Sequence, residues 1–259
     1  MGLQVLHHYY NLDLTMERAK KRVAAMADIH VKSTDRGLWK DTFEQVNTEA
    51  DVLIICGDLT DTGDEDEAKV LGEALHSLHI PVIGVLGNHD FEKGRQKIIK
   101  QILTEHKMTL LDGEFTVACG IGFAGTKGFG GGFDQFMLSI FGEDMMKEFV
   151  HEAVNESLQL DRALTRLEQE HPNVPKVALL HYAPIKSTVE GEAEQLYPFL
   201  GSSHLAEALN RRQVAVAFHG HAHGGTIFGQ TSSNIPVYNV ALPLLKTQHP
   251  GTSYMIVEV

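Results

Sequence analysis

Five short apolar runs limit what this chain can fold into, because each run stops abruptly at Gly, Asp, Asn or His. Three occupy the first third of the sequence and two follow in its last third: 23–27, 52–56, 80–86, 177–180 and 214–218. Runs of this length without a charged residue are typical of strands that are buried on both faces of a sheet. We therefore expect a largely parallel sheet whose strands end at polar side chains.

The segments between these runs show helical periodicity. Apolar residues recur at helical spacing in 38–50 and in 65–79, which gives the first part of the chain a β-α-β-α-β rhythm. Such a rhythm is typical of parallel strands joined by helices. The other predicted elements are helices at 135–170 (with a break near Gly142) and 203–212, a hairpin at 115–124, and strands at 226–228, 235–242 and 253–259.

The polar residues at the ends of the runs form a second pattern. In an open α/β sheet, ligands bind beyond the carboxyl ends of the strands, so we expect these ends to meet in one crevice. The residues supply carboxylates, imidazoles and one amide but no thiolate, a mixture that suits Mn, Fe, Zn or Co better than Ca or Mg. The candidates are Asp28, His30, Asp58, Asp61, Asn88, His89, Asp90, His181, His221 and His223.

The short motifs that contain these residues differ in how often they arise by chance. Composition alone yields roughly 0.8 occurrences of Asp-x-His, so that motif carries no weight by itself. It yields roughly 0.07 occurrences of Gly-Asp-x-x-Asp, roughly 0.08 of Gly-His-x-His and roughly 0.002 of Gly-Asn-His-Asp. The ordered combination, rather than any single motif, therefore indicates a metal site.

The ordered set resembles the complete signature of the calcineurin-like metallophosphoesterase superfamily. It reads Asp28-Ile-His30, Gly57-Asp58-Leu-Thr-Asp61, Gly87-Asn88-His89-Asp90, His181 and Gly220-His221-Ala-His223, and no signature position is substituted. The resemblance implies an α/β fold of four layers, an α/β/β/α sandwich in which two β-sheets are flanked by helices. It also implies a two-metal site at the strand ends.

By the same resemblance, seven residues hold two transition-metal ions, which would be Mn, Fe or Zn. One ion takes Asp28, His30 and His223, the other takes Asn88, His181 and His221, and Asp58 bridges both. Ions in such sites lie ~3.5–4 Å apart. Two carboxylates and a bridging hydroxide leave two divalent cations with a net positive charge, which attracts phosphate to an otherwise acidic chain.

The activity implied by the resemblance is hydrolysis of a phosphate ester by in-line attack of a metal-bridging hydroxide. Two ions lower the pKa of a bridging water towards ~7 and clamp the phosphoryl oxygens, so no protein nucleophile is needed. His89 takes the position of a non-ligand catalytic histidine that touches the phosphate, and Asp61 takes the position that orients its imidazole. Asp90 is assigned a supporting or structural role.

The sequence leaves the identity of the substrate open. A small phosphorylated substrate is expected, such as a cyclic or other nucleotide or a different phosphodiester, but phosphomonoesterases and nucleotide pyrophosphatases share the pattern. A nuclease would share most ligands, yet the formal charge of −12 and the lack of a basic stripe make nucleic acid a poor partner. A non-catalytic protein-binding scaffold on the same fold is expected to lose ligands, and here all are present.

The composition and the apolar runs of the sequence indicate where the protein is located in the cell and how many domains it has. The chain is 43% hydrophobic and 22% charged, the proportions of an ordinary globular protein. No run approaches the ~20 apolar residues of a membrane span, and the first residues lack the apolar core of a secretory signal. We therefore expect a cytoplasmic protein with a single domain over 1–259, in which 1–20 form an N-terminal extension of unknown role. The oligomeric state stays open.

Two further features yield weaker expectations. Cys56 and Cys119 lie in apolar stretches without C-x-x-C spacing, so we expect them to be reduced core residues. The glycine-rich segment 125–133 lacks the Gly-Lys-Ser/Thr of a phosphate-binding loop. It is either a mobile flap whose Lys127 meets phosphate or a connector between the hairpin and the following helix, and the sequence favours neither.

Overall fold

The computed structural model describes residues 20–259, so the predicted N-terminal extension lies outside the described residues except at its end. The strands are β1 (Arg22–Met26), β2 (Val52–Cys56), β3 (Val82–Val85), β4 (Met108–Leu110), β5 (Glu114–Ala118), β6 (Ile121–Gly125), β7 (Lys176–Leu179), β8 (Val216–His219), β9 (Phe228–Gln230), β10 (Pro236–Asn239) and β11 (Met255–Glu258). The helices are α1 (Lys40–Glu49), α2 (Glu65–Leu75), α3 (Gln96–Glu105), α4 (Asp144–Glu170), α5 (Tyr197–Leu200), α6 (Ser203–Arg212) and α7 (Leu242–Gln248).

The strands form two mainly parallel sheets. The first has the order β11-β1-β2-β3-β4, in which only β11 pairs antiparallel with its neighbour. The second has the order β5-β6-β7-β8-β10-β9, in which the outer strands β5 and β9 are antiparallel to theirs. Because the inner strands of each sheet are parallel, their carboxyl ends share one edge, where the predicted site residues follow.

Side-chain alternation along the strands divides the hydrophobic interior into layers. In β1, Ala24 and Met26 pack with residues of α1, α2 and α3, whereas Val23 and Ala25 face the second sheet. In β7, Val177 faces the first sheet, and its neighbour faces the core formed with α4 and α6. Helices, sheet, sheet and helices therefore stack in four layers, and the predicted α/β/β/α sandwich is confirmed.

Helix α4 is the longest helix, with 27 residues, and it begins just after Gly142. The predicted helix over 135–170 was wrong in its first part, where only a short 3-10 turn (Asp134–Phe136) forms, and Gly142, with a φ of +72°, lies in the non-helical stretch before α4. One face of α4 packs on the second sheet, and the other face is polar. Within residues 20–259, neither α4 nor any other helix has the length and apolar character needed to cross a membrane.

Three other predictions about local structure differ from what the structure shows. Helix α3 and strand β4 occupy a stretch for which no element was predicted. The strand predicted at 235–242 was wrong in its last part, because β10 ends at Asn239 and Leu242 begins α7. Pro243 fits the first turn of α7, where a missing N–H group costs no hydrogen bond.

The third difference concerns the cysteines. Cys56 is buried in β2, as predicted, but Cys119 is exposed, so the prediction of a core position was wrong for that residue. Cys119 lies in the tight turn between β5 and β6, with a φ of +54°. Its Sγ contacts the Asp51 carbonyl at 3.3 Å. The apolar residues around it belong to the two paired strands, which is why the sequence suggested burial.

Candidate metal centre

The carboxyl ends of the parallel strands of both sheets meet in one place. A bridge between Ala27 and Ala241 joins the two sheets there, and the Leu242 amide donates to the Ala27 carbonyl at 2.9 Å. The first sheet contributes residues that follow β1, β2 and β3, and the second contributes residues that follow β7 and β8. The residues brought together are the seven predicted ligands, Asp28, His30, Asp58, Asn88, His181, His221 and His223.

Asp28, His30 and His223 form the first group, in which one donor atom of each residue lies within 4.8 Å of the others. His223 Nε2 is 3.0 Å from Asp28 Oδ1. Burial alone would raise the pKa of Asp28, but the hydrogen bond from His223 holds that pKa below its usual value. The same hydrogen bond raises the pKa of His223. A carboxylate beside two imidazoles is a donor set that suits a transition-metal ion.

Asp58 lies between this group and the second one. Its Oδ2 is 3.6 Å from His30 Nε2, and its Oδ1 is 3.4 Å from His181 Nε2. Oδ1 also accepts a hydrogen bond from the His89 amide at 2.9 Å. The two oxygens of one buried carboxylate therefore face two different histidines, which is the arrangement that a bridging ligand needs.

His181 lies on the other side of Asp58 and faces two oxygen acceptors. Its Nδ1 is 3.0 Å from the Cys56 carbonyl, which can only accept, so in the neutral imidazole this nitrogen carries the proton. Nε2 is then an acceptor, and it faces Asn88 Oδ1 at 2.8 Å and Asp58 Oδ1 at 3.4 Å. Acceptor atoms that face one another without a proton between them repel, and a cation among them would relieve that repulsion.

His221 completes this second group. Its Nε2 donates to the Phe199 carbonyl at 3.1 Å, which leaves the lone pair of Nδ1 free. Burial lowers the pKa of His221 to about 3, and burial also lowers the pKa of His30. Both rings are therefore neutral at pH 7, which is the form that binds metals. The donor chemistry of the two groups fits two cations.

The backbone of the predicted ligands is strained. Positive φ angles occur at Asp28 (+55°), His30 (+42°), Asp58 (+49°) and His221 (+68°). Non-glycine residues rarely adopt such angles, and each one costs about 1–3 kcal/mol. Within residues 20–259, nine non-glycine residues have positive φ, and four of them are predicted ligands. Strain that is concentrated in this way is typical of functional sites.

Gly57 provides a test of how tightly the centre is packed. Its φ is +85°, and a Cβ atom there would overlap the His181 ring. Gly120 has a similar φ of +81° but no atom within 4 Å of such a Cβ. Both alanine variants place an L-residue at a positive φ and so strain the backbone, but only Gly57→Ala must also displace the His181 ring. We expect Gly57→Ala to unfold in urea with about 1–3 kcal/mol less stability than Gly120→Ala.

Metal binding distinguishes the same two variants. We expect Gly57→Ala to bind Mn more weakly than the wild-type chain, as measured by calorimetry, because His181 is displaced. Gly120→Ala should keep the wild-type affinity. Equal stability and equal metal affinity in the two variants would show that His181 has room to move, and would contradict the packing described here.

His89 lies beside the centre, held by contacts that differ in part from those predicted. Its Nδ1 donates to the main-chain carbonyl of Asp61 at 2.8 Å and lies 3.1 Å from Glu92 Oε1. The Asp61 carboxylate faces His30 Nδ1 instead, at 3.7 Å. Burial alone would lower the pKa of His89, but the Asp61 carbonyl and nearby carboxylates raise it. With Nδ1 held, Nε2 lies 4.0 Å from Asp58 Oδ2, so His89 can also complete a metal-binding group with Asp58 and His30.

Asp90 is fully buried and holds two turns together. Its carboxylate accepts hydrogen bonds from the amides of Thr60 at 2.9 Å, Leu59 at 3.2 Å and Gly87 at 2.8 Å. Burial and the charge of Asp58 raise the pKa of Asp90 to about 6. These contacts tie the turn after β2 to the turn after β3, which supports a structural role.

The sequence motifs do not point to a buried polar network behind the segment 220–223. Asn239 Nδ2 donates to the Ala222 carbonyl at 2.8 Å, and His219 Nε2 lies 2.8 Å from Thr188 Oγ1. These hydrogen bonds support the segment 220–223, which carries the predicted ligands His221 and His223, on the side that faces away from the centre. Neither Thr188 nor Asn239 belongs to a motif, so only their burial and partners in the structure reveal this role.

The contacts of the glycine-rich segment 125–133 favour the connector over the flap. The Thr126 amide donates to the Leu179 carbonyl at 3.2 Å, which joins the start of the segment to β7. Lys127 Nζ is 3.1 Å from the Glu156 carboxylate, and both side chains are almost fully buried. The ammonium is therefore paired with α4 rather than free to meet a phosphate.

Comparison with known families shows where this geometry belongs. The family described as calcineurin-like phosphoesterase matches residues 21–225, a range that includes every predicted site residue. The chain belongs to the calcineurin-like phosphoesterase family. It is therefore a metal-dependent phosphoester hydrolase, and its His and Asp residues form groups that could hold metal ions. The resemblance found in the sequence is confirmed.

Solved structures with the same fold share little sequence with this phosphoesterase. The phosphopantetheinyl hydrolase of Mycobacterium tuberculosis has a TM-score of 0.66 at 16% identity, over 92% of this chain and 96% of that one. A protein from Thermus thermophilus has a TM-score of 0.57 at 17% identity, over 93% and 98%. A putative 5'-nucleotidase from Staphylococcus aureus has a TM-score of 0.53 at 14% identity, over 85% of this chain but 48% of that one. No curated protein matches the chain in sequence.

Proposed function

We propose that this phosphoesterase binds two transition-metal ions, Mn, Fe or Zn, and hydrolyses a small phosphate ester held between them. The observation that carries the proposal is the Asp58 carboxylate, whose oxygens face His30 and His181 at 3.6 and 3.4 Å. One ion would be held by Asp28, His30 and His223, the other by Asn88, His181 and His221, with Asp58 shared.

Different residues of the chain would bind the metal ions and donate a proton during hydrolysis. When bound, two such ions polarise the phosphoryl oxygens and lower the pKa of water, so no side chain need act as the nucleophile. Asp28 and Asp58 contribute two negative charges and leave room for a net positive site. His89 has a raised pKa, and its Nδ1–H is held by the Asp61 carbonyl; in the imidazolium form its Nε2–H can bind the ester oxygen or protonate the leaving group.

The charges around His89 favour a diester as the substrate. A phosphomonoester carries close to two negative charges at neutral pH, because its second pKa is about 6, whereas a diester carries one. Glu92 lies 3.1 Å from His89 and would repel the additional charge, whereas the Asp61 carboxylate is paired with Lys32 Nζ at 3.8 Å. We therefore place the substrate among small phosphodiesters, with cyclic nucleotides as one class. Phosphomonoesters and nucleotide pyrophosphates are the alternatives.

A substrate panel separates these classes. The panel contains cyclic nucleotides, dinucleotides, nucleoside phosphates, nucleotide pyrophosphates and a phosphopeptide. It also contains a phosphopantetheinyl ester, because one structure with the same fold is a phosphopantetheinyl hydrolase. We expect the Mn-loaded protein to hydrolyse bis(para-nitrophenyl) phosphate with a higher kcat/KM than para-nitrophenyl phosphate. A preference for the monoester would move the substrate to the alternative class.

The controls decide whether the activity belongs to the proposed centre. Asn88→Ala, loaded with Mn in the same way, should lose hydrolysis of every panel member. Loading with Mn, Fe and Zn in turn ranks the three metals. No hydrolysis of any member with any of them would contradict the proposal and favour a non-catalytic scaffold. The cytoplasmic location and the single domain over 1–259 stay predictions from the sequence.

A further inference from the structure

Four aromatic rings form a continuous path that starts and ends at His221. The Tyr182 ring lies 4.4 Å from the His221 ring, centroid to centroid, and 5.7 Å from the Phe129 ring. Phe149 follows at 4.8 Å from Phe129, and Phe199 at 6.1 Å from Phe149. The Phe199 carbonyl then accepts the hydrogen bond from His221 Nε2 at 3.1 Å. We call Phe129, Phe149, Tyr182 and Phe199 the aromatic wall.

Part of the aromatic wall is open to solvent. Phe199 is 58% exposed, and Met145, which precedes Phe149 by one helical turn on α4, is 82% exposed. Ile140 and Phe141, just before α4, are 55% and 56% exposed. Large exposed apolar side chains near a site often mark a binding surface.

The charged pair behind the wall leaves its outer face apolar. Lys127 Nζ lies 4.9 Å from the centre of the Phe129 ring and 5.4 Å from that of Tyr182. The Glu156 carboxylate neutralises this ammonium at 3.1 Å, and both groups are almost fully buried. The Lys127–Glu156 pair therefore packs against the buried side of the Phe129 and Tyr182 rings, and it presents no net charge to a ligand.

The opposite side of the centre is charged rather than apolar. Glu92 Oε1 is 3.1 Å from His89 Nδ1, and the Asp61 carboxylate lies 3.7 Å from His30 Nδ1 and 3.8 Å from Lys32 Nζ. An anionic or strongly hydrated group would gain no binding free energy from contact with the aromatic side. An apolar group would gain none from contact with the charged side. The two sides of the centre therefore favour different groups of a ligand, apolar groups on the aromatic side and polar groups on the other.

We propose that the aromatic wall binds an apolar or aromatic organic group of the substrate, so that the phosphoesterase prefers esters of such groups to esters of small polar alcohols. This inference rests on the proposed function, because it requires the phosphate to lie at the centre. Tyr182, next to His221, is almost fully buried, but the exposed Phe199 also adjoins His221 through its carbonyl at 3.1 Å, so a group attached to that phosphate would meet the wall at Phe199. That continuity assigns the surface to the substrate rather than to a separate protein partner.

Phosphinates test the proposal without depending on turnover, because they contain no ester bond and carry one negative charge, as a diester does. Dimethylphosphinate and methyl(naphthyl)phosphinate differ only in one organic group. Titration calorimetry on the Mn-loaded wild-type protein should give a Kd for the naphthyl compound that is lower by roughly tenfold or more, since a buried apolar contact discriminates by that order. Phe199→Ala should remove most of this difference by weakening the binding of the naphthyl compound far more than that of dimethylphosphinate. Phe149→Leu should reduce the difference by less.

Phe228→Ala is the matched control, because Phe228 is also exposed (46%) and also packs on an aromatic ring, that of Tyr238 at the edge of the second sheet. It should keep the wild-type ratio of the two Kd values. Equal Kd values in the wild-type protein, or an unchanged ratio in Phe199→Ala, would overturn the inference while leaving the proposed function intact. Binding of neither phosphinate would overturn both. A ratio of one together with a smaller assembly of Phe199→Ala in sedimentation would assign the wall to contacts between copies of the chain.

Discussion

Asp58→Asn is expected to reduce phosphodiester hydrolysis by roughly a thousandfold or more, because residues that merely support metal ligands already contribute 10–100-fold. The Asp58 carboxylate is almost fully buried, and its two oxygens face His30 and His181. An amide removes the negative charge and replaces one acceptor by a donor. Only one of the two histidines could then share a cation with residue 58, so the residue could no longer join two ions.

Three measurements on Asp58→Asn show where the loss arises. The kcat/KM of the Mn-loaded variant gives the size of the effect, metal analysis gives the number of ions retained, and circular dichroism shows whether the chain is folded. Asp144→Asn is the matched control, because Asp144 lies exposed at the start of α4 and pairs only with Lys147 at 3.1 Å. Wild-type activity in folded Asp58→Asn would contradict the role of a shared ligand.

His89→Ala is expected to lower kcat by roughly 10²–10⁴-fold, the usual effect of losing a positioned proton donor. The number of bound metal ions should stay at its wild-type value. The imidazole is held by the Asp61 carbonyl at 2.8 Å and presents Nε2 towards Asp58. Without it, nothing at that position can donate to the ester oxygen.

The matched controls for His89→Ala test the contacts as well as the residue. His76→Ala changes an exposed histidine that pairs with His106 at 2.8 Å, and it should have no effect on kcat. Asp61→Ala should lower kcat far less than His89→Ala, because the main-chain carbonyl that holds His89 remains. Loss of a metal ion in His89→Ala would instead make His89 a ligand, in the group that it forms with His30 and Asp58.

The parts of the structure that the sequence predicted best are those with a strong local pattern. The buried parallel strands read as uninterrupted apolar runs, because both of their faces are covered, and β2 begins and ends where its run does. Parallel strands share one edge for their carboxyl ends, so Asp28, Asp58 and Asn88 could be placed together before any coordinates. The ligand motifs follow those strands directly, which made the site predictable.

The elements that were missed do not all lack a pattern. In α3, Ile99, Ile102 and Leu103 recur at helical spacing and pack against the core of the first sheet, so periodicity alone could have predicted this helix. Strand β4 has only three residues, too few for a periodic signal. The strand predicted at 235–242 extended too far because apolar residues continue from β10 into α7. Only tertiary packing separates the two elements.

Residue roles that depend on main-chain atoms or on distant partners were beyond the sequence. A motif names a side chain, and in the case of Asp61 it predicts a carboxylate next to His89, whereas the contact in the structure comes from the carbonyl. Thr188 and Asn239 support the segment 220–223 from sites remote in sequence. The aromatic wall likewise joins residues from α4, α5 and two loops, none of which forms a motif.

Anomalous diffraction from crystals of the Mn-loaded protein tests the central claim most directly. The account predicts two peaks per chain, separated by ~3.5–4 Å, on either side of the Asp58 carboxylate. One peak should lie among Asp28, His30 and His223, and the other among Asn88, His181 and His221. A single peak, or two peaks that Asp58 does not join, would contradict it.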